Sequence, residues 1–249
     1  MGKKYKNSPI VEGVCEFIFE KVPTWDITTP GIIYNEVKTV FPNKETHAVQ
    51  RVNITTKEPS PKTQIMRFDL ARFLSDDKKT LMQLGNDTLT ISRLKPYTNW
   101  SDFKYYIDYA FNKLNQNVEL SSIKRIGLRF VNRIEIPNEK IKLEEYFKFR
   151  PSLGDDLQEK EYSSFIVGCI FPMADGRDAC KVELNIAVPE NKGSSAFMLD
   201  LDYSLTKPEC LKLNQSLEWV ENAHEGIEGL FEGCIKQPLR DLFDTVDRI

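Results

Sequence analysis

Lys124 to Ile136 reads KRIGLRFVNRIEI and lies halfway along the chain. At a period of two, Ile126, Leu128, Phe130, Ile134 and Ile136 share one side, with Asn132 the single polar residue in that register. Arg125, Gly127, Arg129, Val131, Arg133 and Glu135 share the other. A strand built this way needs a hydrophobic layer on one face and tolerates water or a charged partner on the other. It supplies an architecture and no reaction.

Working toward the N-terminus, Ile10 to Glu20 alternates apolar Val14, Phe17 and Phe19 with polar Glu12, Glu16 and Glu20 and reads as a second strand. Thr28 or Thr29 then caps a helix with Pro30 in its first turn, and Ile32, Ile33, Val37 and Val40 form its buried stripe. Glu45 to Thr63 is polar and carries two prolines, so it is part strand and part exposed loop. Gln64–Phe73 and Leu81–Leu94 read as strands, the second broken into a hairpin near Asn86-Asp87. An amphipathic helix capped by Asn99 or Ser101 follows, through Phe103, Ile107, Ala110, Phe111 and Leu114.

The order recurs loosely after the central strand. A short helix near Leu143 to Phe149 and a charged loop from Gly154 to Glu161 precede strands at Ser163–Phe171, Cys180–Val188 and Ala196–Leu205. A long helix then runs from about Ser216 to Phe243, kinked or divided by Pro238. The expected class is α+β: antiparallel sheet with helices packed on one face and a long C-terminal helix. The best boundary falls near Asn115-Gln116-Asn117, giving halves 1–117 and 118–249 of similar strand–helix order. No long linker separates them, so they are expected to pack rigidly, even as a single domain.

The 249 residues are 41% hydrophobic and 29% charged, an ordinary globular balance with a net charge of −3. That charge disfavours broad affinity for nucleic acid or acidic membranes. No run approaches the roughly 18 apolar residues of a membrane helix. The opening MGKKYKNSPIVEG has charge without an apolar signal core, and Lys6 stands where myristoylation requires Ser or Thr, so a cytoplasmic setting is expected. Cys15, Cys169, Cys180, Cys210 and Cys234 are odd in number and widely spaced, and read as reduced, mostly buried thiols. A Cys169–Cys180 bridge across a hairpin is the alternative.

Ser8-Pro9-Ile10-Val11-Glu12, Ile126 to Ile134, Leu199-Asp200-Leu201-Asp202 and the closing helix His224-Glu225-x-Ile227-x-x-x-Phe231-x-x-x-Ile235 occur in that order. Together they resemble the TIGR04255 family of sporadically distributed prokaryotic proteins, over nearly the whole chain. The resemblance implies no activity, and the family's patchy distribution implies a mobile-element or defence setting.

Arg125, Arg129 and Arg133 on one strand face, with Asn132 beside them, are the candidate binding residues, since guanidinium groups in a row could clamp phosphates or a partner's carboxylates. Their alternative role is pairing with acids on neighbouring strands, for which Asp200, Asp202 and Glu183 are placed. Those three could instead, with His224, hold a divalent metal. No PD…ExK pattern accompanies them, and Lys181 stands on the wrong side of Glu183. His224-Glu225 lacks the second histidine of a zincin, and His47 is the only other one. An inter-helix or capping role suits His224 better. Ser194-Ser195 lacks a GxSxG elbow, and without GxGxxG or a Walker loop no cofactor is expected. Trp25, Trp100 and Trp219 read as packing residues, and of Tyr105 and Tyr106 one must face outward.

The leading reading is a cytosolic, non-enzymatic protein-interaction module that holds a partner or a second copy. Nucleic-acid binding through the arginines is not favoured. A metal-dependent nuclease or other phosphodiester-acting enzyme using Asp200, Asp202 and Glu183 is the alternative.

Overall fold

The computed structural model describes residues 4–20, 22–55, 62–154, 157 and 163–246. Much of the loop expected within 45–63 and most of the charged loop at 154–161 lie outside those residues. Nine strands form one sheet: β2 (Ile10–Phe19), β3 (Asn43–Thr55), β4 (Lys62–Leu74), β5 (Thr80–Leu84), β6 (Thr88–Leu94), β7 (Ile123–Ile136), β8 (Ile166–Met173), β9 (Asp178–Ala187) and β10 (Ser195–Leu205). Near the termini, β1 (Lys4–Tyr5) pairs with β11 (Thr245–Val246). The large sheet is antiparallel throughout and runs β3-β4-β5-β6-β2-β7-β10-β9-β8. The quoted stretch is β7, at the centre, where β2 lies on one side and β10 on the other.

Helices α1 (Thr29–Val37), α2 (Trp100–Asn117) and α4 (Ser216–Cys234) cover one face of this sheet, with α3 (Leu143–Tyr146) and α5 (Gln237–Leu242) beside them. The architecture is α+β, as the alternation and helical periodicities require. On β7 the buried residues are Ile126, Leu128, Phe130, Asn132, Ile134 and Ile136, with Gly127 sealed beneath its neighbours. They meet Phe103, Ile107, Ala110, Phe111 and Leu114 of α2 and Trp219, Val220, Ala223 and Ile227 of α4 in one continuous core. Each large side chain buried there contributes roughly 1.5–3 kcal/mol. Asn132 is reconciled with its apolar surroundings because its amide donates to the Leu199 carbonyl at 3.0 Å.

Several expectations shift. On β2 the core positions are Cys15, Phe17 and Phe19, so Val14 lies with Glu12 and Glu16 on the uncovered side. In α1, Ile33 and Val37 are buried while Ile32 is exposed, because it stands about 100° round the helix from Ile33. Thr28 gives α1 no side-chain cap; the Asp26 carboxylate accepts from the amides of Thr28 (2.8 Å) and Thr29 (3.1 Å) instead. Asn99 caps α2 by accepting from the Asp102 amide at 2.9 Å. The closing helix is divided in two. Ile235 turns extended and bridges to Phe147, and Pro238 sits in the first turn of α5, where its missing N–H leaves no orphan. The five cysteines are unbridged; Cys15, Cys180 and Cys234 are buried, whereas Cys169 and Cys210 are exposed. No helix among the described residues is long and apolar enough to cross a membrane.

Candidate functional site

The face of the sheet opposite α2 and α4 gathers the candidate residues. Antiparallel register sets Arg129 opposite Asp202 and Val131 opposite Asp200, so a guanidinium at 129 reaches both acids of β10. It chooses Asp200. Nε donates to Oδ1 at 2.8 Å and Nη2 to Oδ2 at 2.5 Å, a two-toothed fork that raises the affinity of Arg129 for its proton. Arg125 donates across to Glu16 on β2. Arg133 donates to the Val188 carbonyl, and its Nε lies 3.2 Å from Glu190, an ion pair without hydrogen-bond alignment.

Two of the three acids, Asp200 and Glu183, are engaged in the same way. Glu183 faces Asp200 across β9 and β10, and its carboxylate lies 2.7 Å from Lys181 Nζ. The lysine that fits no nuclease spacing therefore neutralises the acid two residues after it. That contact holds the Glu183 carboxyl below its ordinary range. Burial pushes Asp202 the other way, partly countered by Arg125 and Arg129. Among the described residues, no three His, Cys, Asp or Glu side chains are grouped to share a metal ion. This face is a ladder of answered charges. It presents neither convergent oxygens nor a row of unengaged guanidinium groups.

Asp178 and His224 lie on the helix-covered side. Asp178, at the start of β9, is fully buried; it accepts from Trp219 Nε1 (3.0 Å), Tyr203 Oη (3.2 Å) and Arg177 Nη2 (2.6 Å). It is a structural clasp between β9, β10 and α4. The sequence carried one usable signal for it, since Asp178 shares its parity with Cys180, Val182 and Leu184, all buried. His224 stacks face to face on Trp100, with ring centroids 4.0 Å apart, and burial pushes it down to about 4. At 3.8 Å, the Glu228 carboxylate is too far for a hydrogen bond to His224 Nε2. His224 is thus an inter-helix packing residue held neutral. The side chain of His47, on β3, lies outside the described residues. Ser195 opens β10 and donates to the Asn138 carbonyl at 2.7 Å, well away from His224 in the fold. Trp219 is buried, and Tyr105 is the tyrosine that faces outward.

The remaining candidate is one that residue-type reasoning did not single out. β8 is the last strand of the sheet and reads IVGCIFPM, with no charge along it. Gly168 pairs with Glu183 and Ile170 with Lys181, so Ile166, Gly168 and Ile170 lie on the uncovered face. Ile166 is 73% exposed and Ile170 70% exposed. Cys169, between them, is exposed on the other face. The strand at the opposite end of the sheet, β3, carries Lys44, Glu45 and Arg51. A row of apolar side chains on an edge that no other strand pairs with among the described residues has no local signal, because which strand becomes an edge depends on the whole topology. The chain matches no family model and no curated protein.

Proposed function

We propose that the protein is a cytosolic, non-enzymatic interaction module that accepts a strand of a protein partner along β8. The observation that carries this reading is the exposure of Ile166 and Ile170 on an uncharged edge strand. Sheet edges are ordinarily blunted with charge, proline or a covering element, because their free N–H and C=O groups template pairing; β8 carries no charge, and its one proline, Pro172, stands near its end. Strand addition of this kind takes affinity from main-chain hydrogen bonds and specificity from alternate side chains. The Arg129–Asp200 and Arg125–Glu16 pairs turn the charges of β7 onto neighbouring strands, which leaves β8 the more available surface for a partner. The resemblance to the TIGR04255 family supports placing such a module in a mobile-element or defence setting.

The test is photo-crosslinking in cells with p-benzoylphenylalanine at position 170, and at position 44 on β3 as the control. A discrete protein adduct from position 170 alone, abolished by Ile166→Lys, is expected. Absence of an adduct from position 170 would overturn the reading.

A further inference from the structure

Resting on that reading, we infer that the strand taken up by β8 is β8 of a second copy of this chain, running antiparallel about a twofold axis through Gly168. Ile166 and Ile170 lie two residues either side of Gly168. The axis therefore places Ile166 of each copy opposite Ile170 of the other, on the same face of the joined sheet. Both exposed isoleucines of both copies leave water together. Glycine at the axis faces glycine, and the Glu183 side chain, whose Cγ and Oε2 both lie 3.9 Å from where a Cβ would stand on Gly168, closes over the gap with its charge answered by Lys181.

The backbone parity agrees. A proline inside a sheet turns its missing N–H toward the free edge. Pro172 is in β8, and its parity is that of Ile170, Gly168 and Ile166. Those three residues thus direct their N–H and C=O groups outward, where a symmetric partner strand receives them as hydrogen-bonded pairs. Pro172 ends the ladder.

Charge selects the occupant. Each copy carries 34 basic and 37 acidic residues, a net charge of −3, so long-range attraction does not draw two copies together and the contact must be a local one. β8 itself contributes no charge, and the Lys181 and Glu183 beside it answer each other at 2.7 Å, whereas β3 brings Lys44 and Glu45 to its edge. The asymmetry also closes the assembly. Joining two β8 edges makes one continuous sheet from two of nine strands and leaves only the charged β3 edges outside. The result is a closed dimer and not a fibre. An eight-residue strand is about 26 Å long. Its edge alone covers less than the roughly 1,200 Å² of a standard interface, so the dimer dissociates on dilution.

Sedimentation of the full chain is expected to show a concentration-dependent shift from 28.8 kDa toward twice that mass. Ile170→Lys should abolish the shift without altering the circular dichroism spectrum. Register is read separately. About an axis at Gly168, position 167 faces Cys169 of the second copy as a non-hydrogen-bonded pair, with Cα atoms about 4.5 Å apart, inside disulfide range. Val167→Cys oxidised with copper phenanthroline should therefore give a reducible covalent dimer, lost again when Cys169→Ser is added. A dimer that Val167→Cys does not cross-link overturns the assigned register. A monomer at all concentrations, with an adduct from position 170 to some other protein, overturns the second copy and leaves the interaction module standing. A monomer with no adduct removes both.

Discussion

Asp178 is a carboxylate sealed inside the protein, and the groups around it show why it stays there. Trp219, Tyr203 and Arg177 each donate to it, so its desolvation is offset by hydrogen bonds and by an opposite charge. Removing only the acid leaves the guanidinium and two buried donors unanswered. Asp178→Ala should cost about 3–5 kcal/mol in urea unfolding, and Asp178→Asn less, because an amide oxygen still accepts. His224 is the converse case, a base that burial keeps neutral. Its folded value of about 4 lies below the ordinary 6.5. Between those two values the unfolded chain binds a proton that the folded chain refuses. The contribution of His224 to stability is therefore complete above pH 6.5 and is lost as pH falls through about 4, at most on the order of 3 kcal/mol. His224→Phe preserves the stack on Trp100 and should flatten that part of the stability–pH curve; an unchanged slope would mean His224 is already solvated. The Arg129–Asp200 fork was legible in the sequence, since period two puts arginines and aspartates on facing strands. The Asp178 clasp was not, because its donors come from three separate places and a lone acid after a turn reads as solvated.

α4 shows how a single helix carries both packed and open glycines. A Cβ at Gly226 would stand 2.8 Å from the Tyr203 ring and 3.3 Å from the Met173 methyl. Tyr203 cannot retreat easily, since its hydroxyl is tied to Asp178. Gly229, one turn on, has nothing within 4 Å. Gly229→Ala should stabilise the protein by about 0.5–1 kcal/mol through helix propensity. Gly226→Ala should forfeit that gain and destabilise by about 1–3 kcal/mol through overpacking. Thermal melts of the two variants should move in opposite directions. Strands and helices were readable here because the apolar periods of α2 and β7 are long and clean. The division after Cys234 was half readable, since Pro238 marks an interruption but not the bridge from Ile235 to Phe147 that fixes it. The start of α1 was read correctly, with Thr28 at the cap position and Pro30 in the first turn, but not its chemistry: the nearby Asp26 carboxylate accepts from the Thr28 and Thr29 amides in place of a threonine hydroxyl.

The two halves share one sheet, joined at its centre. Each half begins with a strand, passes a helix, and returns through a meander whose last strand pairs with the first: β6 with β2, and β10 with β7. The two opening strands then pair with each other at the centre, β2 against β7 from Glu12–Val131 to Ile18–Arg125. That junction is invisible in the sequence, because the register between strands about 110 residues apart leaves no local pattern. The core respects no boundary either. Phe103 from the first half and Phe130 from the second lie edge to face, 6.2 Å apart, and Trp100 packs on His224. Cutting between α2 and β7 would expose the inner edge of β2 and take Phe130 and His224 away from Phe103 and Trp100 of α2. Expressed alone, residues 1–117 and 118–249 should each give a poorly dispersed amide spectrum. Co-expressed, they should recover a complex of 28.8 kDa with the dispersion of the intact chain. Two independently folded fragments would mean that the β2–β7 seam is an interface between domains and not the middle of one sheet. The seam's ion pair between Arg125 and Glu16 is too exposed to hold them by itself. What joins them is the apolar layer beneath it, and replacing Phe130 with alanine should prevent the fragments from recombining while leaving that ion pair in place.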